Sequence, residues 1–307
     1  MPSSPLPPLN RPDDCNDLPL LLLVITALTA WRALAIALSG LDLYVDEAQY
    51  WTWSQALDWG YFSKPPMIAA VIAATTSVCG DSALCVKSGA LLLYPFTTVL
   101  IWAISRRLFD TSTAFWTAVV FLTLPGVALS SVIISTDVPL FLCWSAALFA
   151  YLKALDSDAW RWWLAAGIAG GLGLLTKYTM AIFAVSVLLH LAITPSLRPR
   201  LRSPKLYVTA ALAALIFAPN LVWNALNGWP TLGHTAQISG LETQHGLNWK
   251  SFGDFIAGQF GILGPVLFIA WLVQLAAAKN WIRDERYRLL ACFALPFLGA
   301  ITAQSLI

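Results

Sequence analysis

Charge is what this chain has least of. Asp, Glu, Lys and Arg together make 11% of its 307 residues, where a soluble domain carries about a quarter, and that shortfall excludes an ordinary water-soluble protein. Cysteine is scarce too. Of Cys15, Cys79, Cys85, Cys143 and Cys292, only Cys79 and Cys85, within CGDSALC, are placed to meet in an oxidising compartment, and the set does not amount to a disulfide framework. No G-x-G-x-x-G follows a strand-like run, no P-loop occurs, and there is no repeat of solenoid or transporter type. The net charge of +2 is too small to point to nucleic acid as a partner.

What the chain has instead is apolar sequence. Hydrophobic residues make up 58% and the mean hydropathy is +0.70, which places it among all-α polytopic membrane proteins. The Pro-rich polar stretch at residues 1–17 lacks the basic n-region and small-residue cleavage site of a secretory signal. Leu18–Ser39 therefore reads as a retained first helix, long enough for a hydrocarbon core that needs roughly 20 residues. Further runs of spanning length are Ser88–Ile104, Thr113–Ile133, Val138–Leu152, Trp162–Thr176, Tyr178–Ile193, Leu206–Trp223, Ile256–Ala278 and Leu289–Leu306. Pro66–Val78 is apolar but short, and a run of about 10 to 14 residues is more often interfacial than spanning.

Whether that short run crosses decides the side of every later loop, and basic residues settle it. If it lies along the interface, the inner side receives Arg11, Arg106, Arg107, Lys153, Arg161, Arg198, Arg200, Arg202, Lys205, Lys279, Arg283, Arg286 and Arg288. The outer side receives only Lys64, Lys87, Lys177 and Lys250, with Arg32 inside a helix. The expectation is nine spans with residues 1–17 as an inner tail and residues 18–307 as one transmembrane domain. Residues 40–87 form a long outer loop holding two interfacial helices, about Asp46–Trp59 and Pro65–Val78. The same topology puts Asp46, Glu47, Lys64, Asp137, Lys177, His234, Glu242 and His245 on one face. Ionisable groups at a membrane face are costly unless they serve a purpose.

The strings YVDEAQYWTWSQALDWGYFSKPPM, ISTDVPLF, GLLTKYTM and FAPNLVWNALNGWPTLGHTA resemble, in order and along nearly the whole chain, the lipid-carrier-dependent glycosyltransferases of family 39. These include the lipid A galacturonosyltransferase and aminoarabinose transferase types, relatives of the dolichyl-phosphate-mannose protein mannosyltransferases. The resemblance implies a C-type glycosyltransferase fold in the inner membrane, a polyprenyl-phosphate sugar as donor, a lipid, glycan or protein acceptor, and a site facing the periplasm. The missing nucleotide-binding motif agrees with a lipid-linked donor. Family members usually run longer and this chain stops inside an apolar run at Ile307, so a C-terminally shortened member is expected.

Asp46 occupies the position of the family's catalytic aspartate, which implies a general base that takes the acceptor proton in an inverting displacement. Lys64 matches a lysine or histidine ahead of paired prolines; Pro65 and Pro66 cannot sit inside a helix and would open the second interfacial helix with Lys64 at its mouth. Glu47, Arg32, Asp137, Lys177 and Tyr61 are expected among the contacts to donor phosphate and substrate, Arg32 with Asp46 or Asp137 as partner. In the aminoarabinose transferases a glutamate precedes the lysine, whereas Ser63 stands here, which weakens a carry-over of their metal site or sugar specificity.

Other readings stand beside these. Asp137, after Thr136 and before Pro139, is equally suited to cap a helix. Lys64 can snorkel without a ligand, and Lys177 can be a plain loop charge. Trp51, Trp53 and Trp59 suit sugar stacking or an aromatic belt. His234, Glu242 and His245 fit no zinc signature, and no cofactor or metal is assigned. A transporter or lipid flippase is the rival function, disfavoured because transporters place their charges near the bilayer midplane.

Overall fold

A computed structural model of the chain describes residues 17–238, 247–278 and 282–306, and among them there are helices and turns but no strand. Among the described residues five helices have the length and apolarity to cross a membrane: α1 (Leu18–Ser39), α4 (Ala83–Leu108), α7 (Asp137–Ser157), α10 (Pro204–Leu226) and α14 (Glu285–Ser305). The pair α12 (Trp249–Leu263) and α13 (Pro265–Ala276) passes only as one broken span, bent by 114°. Gly264 supplies the bend, with a positive φ of 76° that a side chain disfavours, and Pro265 restarts the helix.

About nine spans were expected, a number the structure does not confirm, and the differences have local causes. The run from Thr113 to Ile133 is not one helix: α5 (Thr111–Thr123) stops and the short α6 (Pro125–Ser130) begins, because Pro125 has no N–H for the ladder. With α8 (Trp160–Leu174) and α9 (Ala181–Ile193), α5 spans only 13 to 15 residues, roughly 20 Å of helix against a core of about 30 Å. The two helices expected in the first outer loop are present as α2 (Val45–Ser54) and α3 (Met67–Cys79). They are shorter than expected, and residues 55–66 between them are non-helical.

The main core lies where α7 packs on α8, α9 and α14, around Tyr151, Leu152, Trp163, Leu191 and Phe293. Small residues let α8 lie close on α10: a Cβ on Gly171 would come within 2.7 Å of the Ile216 side chain. Cys79 and Cys85 are disulfide-bonded, joining the end of α3 to the first turn of α4. Helices α4 and α7 both start at the end of the bundle that carries α2. At their other ends Arg107 pairs with Asp156, and Arg200 and Lys205 with Asp158.

Candidate functional site

Helix α2 is fixed through one side chain. Glu47 is fully buried; its Oε2 accepts from the Tyr44 N–H at 2.8 Å, closing a capping box, and its Oε1 accepts from the Ile134 N–H at 2.8 Å. Lys87 Nζ, from the second turn of α4, lies 3.3 Å from Oε2 and donates to the Asp42 carbonyl at 3.3 Å. Both oxygens of Glu47 are thereby occupied, and the side chain serves as a strut between α2, α4 and the segment leading into α7. The neighbouring Asp46 is exposed and makes no hydrogen bond or ion pair among the described residues. Tyr50, one turn on and buried, has its hydroxyl pushed up to about 12, first by burial and then by Asp46 and Asp137. That tyrosine therefore feels both carboxylates.

Asp137 opens α7 but makes no capping bond; instead it accepts from Lys177 Nζ at 2.8 Å. Both members of the pair are partly exposed, and such pairs contribute about 0–1 kcal/mol, so Lys177 can exchange this partner for another anion at little cost. Lys64 approaches from the loop between α2 and α3. Burial first and Lys177 second push its ammonium below the ordinary lysine value, against the opposing pull of Asp46 and Asp137. Helix α3 starts directly after Pro65 and Pro66, and the Met67 N–H donates to the Leu175 carbonyl at 3.0 Å. That bond ties the chain just after Lys64 to the chain just before Lys177. Asp46, Lys64, Asp137 and Lys177 thus gather at one end of the bundle. A largely apolar cavity of about 520 Å³ opens beside them, between Leu57, Asp58 and Trp59 on one side and Pro66, Met67, Ala70 and Leu175 on the other.

Two other expected contacts lie elsewhere. The Tyr61 ring stacks on Trp53 at 4.7 Å. Its hydroxyl donates to the Trp53 carbonyl at 3.1 Å and accepts from the Asp58 N–H at 3.1 Å. It is the post around which the loop folds. Arg32 meets neither Asp46 nor Asp137: it is buried in α1 and donates at 2.5 Å to the Leu122 carbonyl, in the last turn of α5. There it satisfies a carbonyl that helix ends leave without a donor, with its charge at the negative end of the helix. Of the tryptophans, Trp51 donates to Asp81 at 2.9 Å and Trp59 is exposed. His234 packs on Phe62, while Glu242 and His245 lie outside the described residues, as does Cys15.

Sequence reasoning passed over a clasp formed by α10 and α11 (Pro230–Ile238). Asn220 Nδ2 donates to the Trp59 carbonyl at 2.7 Å, and Asn220 Oδ1 accepts from the Tyr178 hydroxyl at 2.9 Å. Asn224 Nδ2 reaches the same hydroxyl at 3.2 Å, and Thr231 Oγ1 donates to the Tyr61 carbonyl at 2.6 Å. Trp223 Nε1 donates to Asp58 Oδ2 at 2.7 Å. The signal was present in the string APNLVWNAL: Asn220, Trp223 and Asn224 share one helix face at i, i+3 and i+4, and buried amides in a membrane helix demand partners.

Gly60 is where this clasp presses hardest on the loop, since a Cβ there would lie 2.3 Å from the Trp223 ring. Gly60→Ala is expected to destabilise the protein by about 1–3 kcal/mol, the usual range for overpacking, read as a lower midpoint of thermal unfolding in detergent. An unchanged midpoint would show that the loop and α10 are not in contact.

Residues 63–223 match the family described as dolichyl-phosphate-mannose-protein mannosyltransferase. The chain is 35% identical over 285 residues to the lipid A galacturonosyltransferase RgtD of Rhizobium johnstonii, an alignment covering 92% of this chain and 60% of RgtD. It is 30% identical over 187 residues to the lipopolysaccharide core galacturonosyltransferase RgtB of the same organism, covering 59% of this chain and 37% of RgtB. Its fold superposes with a TM-score of 0.64 on the crystal structure of apo ArnT from Cupriavidus metallidurans, at 16% identity, over 94% of this chain and 59% of ArnT. The chain thus spans no more than 60% of the length of these relatives. The matched segment covers just over half of the sequence and contains Lys64, Asp137 and Lys177, and the chain belongs to the dolichyl-phosphate-mannose-protein mannosyltransferase family, in the C-type glycosyltransferase fold of ArnT.

Proposed function

We propose that this chain is the catalytic part of a glycosyltransferase that moves a sugar from a polyprenyl-phosphate carrier to a lipid A, glycan or protein acceptor at the periplasmic face of the inner membrane. The observation that carries the reading is the placement of one unpaired carboxylate, Asp46, at the same end of the bundle as two lysines and an apolar opening. A donor of this class has three parts. Its phosphate suits Lys64 and Lys177, its hydrocarbon chain suits the apolar cavity, and its anomeric carbon then lies toward Asp46.

The chemistry is a single displacement. An acceptor hydroxyl oxygen attacks the anomeric carbon while Asp46 takes its proton. The bond from that carbon to the phosphate oxygen breaks, and its electron pair leaves with the phosphate. Attack from the opposite face inverts the anomeric configuration. Phosphate is stable as an anion, so it leaves without a proton and no second acidic carboxylate is required; preorganised cations do that work instead. Asp137 holds Lys177 in place until the phosphate arrives. A transporter would need its charges near the bilayer midplane, whereas these lie at the end of the bundle beside α2 and α3.

Mass spectrometry of envelope lipids and glycans from cells with and without this chain tests the reading. Loss of one sugar mass from one component supports it and names both sugar and acceptor; identical profiles under conditions where the chain is expressed would sink it. A second expectation concerns pH. Because Lys64 is held below the ordinary lysine value, its charge is lost as the pH rises through that lowered value, earlier than for a free lysine. Affinity for farnesyl phosphate should fall along that alkaline limb. Lys64→Arg, which stays charged, should move the limb to higher pH. A limb unmoved by the substitution would show that Lys64 is not the titrating contact.

A further inference from the structure

The clasp does more than anchor a loop. We propose that Asn220 is a positioning residue that sets the separation of Lys64 and Lys177, and hence the seat for an anionic group between them. Its consequence for binding rests on the phosphate reading of the two lysines given above; its geometry does not.

Asn220 is fully buried in α10. Its amide faces two segments that are distant in sequence: Trp59, five residues before Lys64, and Tyr178, the residue after Lys177. The orientation of the amide is forced. The Trp59 carbonyl only accepts, so the amide nitrogen must face it, which leaves the amide oxygen to accept from Tyr178. The Tyr178 hydroxyl donates to Asn220 and accepts from Asn224 Nδ2, so its own capacity is filled in the same arrangement. Thr231 holds the Lys64 side a second time, at the Tyr61 carbonyl. No apolar side chain makes these bonds, and a carboxylate at 220 would set its oxygen against the Trp59 carbonyl. A donor and an acceptor on one short, rigid group are what span this gap.

The reason to fix the gap is electrostatic. Two ammonium groups repel, so their separation has to be fixed through the backbone that carries them: the Met67–Leu175 bond holds one flank of each lysine, and the clasp on Trp59 and Tyr178 holds the other whatever side chains stand at 64 and 177. Held together by hydrogen bonds made elsewhere, they present a preorganised pair of cations whose mutual repulsion is relieved when an anion enters. The downward push of Lys177 on Lys64 fits that arrangement.

The test uses the whole chain in lipid nanodiscs. Spin labels on Lys64→Cys and Lys177→Cys, with Cys15, Cys143 and Cys292 replaced by serine and the Cys79–Cys85 bridge kept, report the separation by pulsed electron spin resonance. A reference pair on α4 and α7 reports folding. Binding of farnesyl phosphate is measured separately on protein that keeps both lysines. Asn220→Ala and Asn220→Asp are expected to broaden the 64–177 distribution, leave the reference pair unchanged and weaken farnesyl phosphate by about tenfold, modest against the losses that misplacement by an ångström brings. Tyr178→Phe removes only one of the two bonds and should shift both readouts less, in the same direction. A 64–177 distribution unchanged in Asn220→Ala overturns the inference; should that variant not fold, an unchanged distribution in Tyr178→Phe does so. A broadened distribution with undiminished binding supports the positioning role and overturns the phosphate reading of the lysines.

Discussion

Asp46→Asn is expected to abolish sugar transfer while the protein still folds and inserts. Asparagine copies the shape of the side chain but cannot take a proton, and the loss of a positioned general base costs about 10²- to 10⁴-fold in rate. The structure separates this effect from instability. Asp46 is exposed and makes no hydrogen bond or ion pair among the described residues, and substitutions at such positions usually change stability by no more than about 0.5 kcal/mol. Transfer measured in membranes, beside the thermal midpoint of the purified variant, gives both numbers. Near-normal product from a well-folded Asp46→Asn protein would remove Asp46 from the reaction, and the proposed chemistry with it.

The neighbouring substitution should behave in the opposite way. Glu47→Ala is expected to cost about 3–5 kcal/mol of stability, the range for removing one partner of a buried ion pair. It strands the Lys87 ammonium, which is 5% exposed, and leaves the Ile134 and Tyr44 N–H groups without their acceptor. The loss should appear as a lower unfolding midpoint and faster proteolysis between α1 and α3, with activity falling because α2 is no longer held. Replacing both partners, Glu47→Gln with Lys87→Met, should recover much of the stability, since it is the unpaired buried charge that is expensive. If Glu47→Ala instead kept full stability and lost only activity, Glu47 would be a substrate contact and the strut assignment would fail.

These adjacent residues show how far the sequence could be read. The string YVDEAQYW and its family resemblance pointed to both Asp46 and Glu47, but nothing in one dimension distinguishes which of two consecutive carboxylates turns inward. That is set by partners 40 and 87 residues away, Lys87 and Ile134. The acidic partner expected for Arg32 was misread for the same reason, and the partners of Tyr61 were not legible either, since a carbonyl of α5 and a turn of the loop come within reach only once the chain has folded. The proline breaks at Pro125 and Pro265 were legible but were outweighed by hydropathy, which averages over a window and does not see one missing N–H. The clasp was half legible: the shared face of Asn220 and Asn224 follows from helical spacing, while the identity of what they grip does not.

By itself the sequence determined the solvent this protein lives in, the helical class and the loop after the first helix with its two short helices. Each of these follows from sums over neighbouring residues, the transfer energy of an apolar run or the backbone limits of a proline. The tertiary structure alone decided which ionisable groups are structural and which stand free. That depends on desolvation and pairing between segments far apart in the chain, where a single buried partner outweighs any local preference.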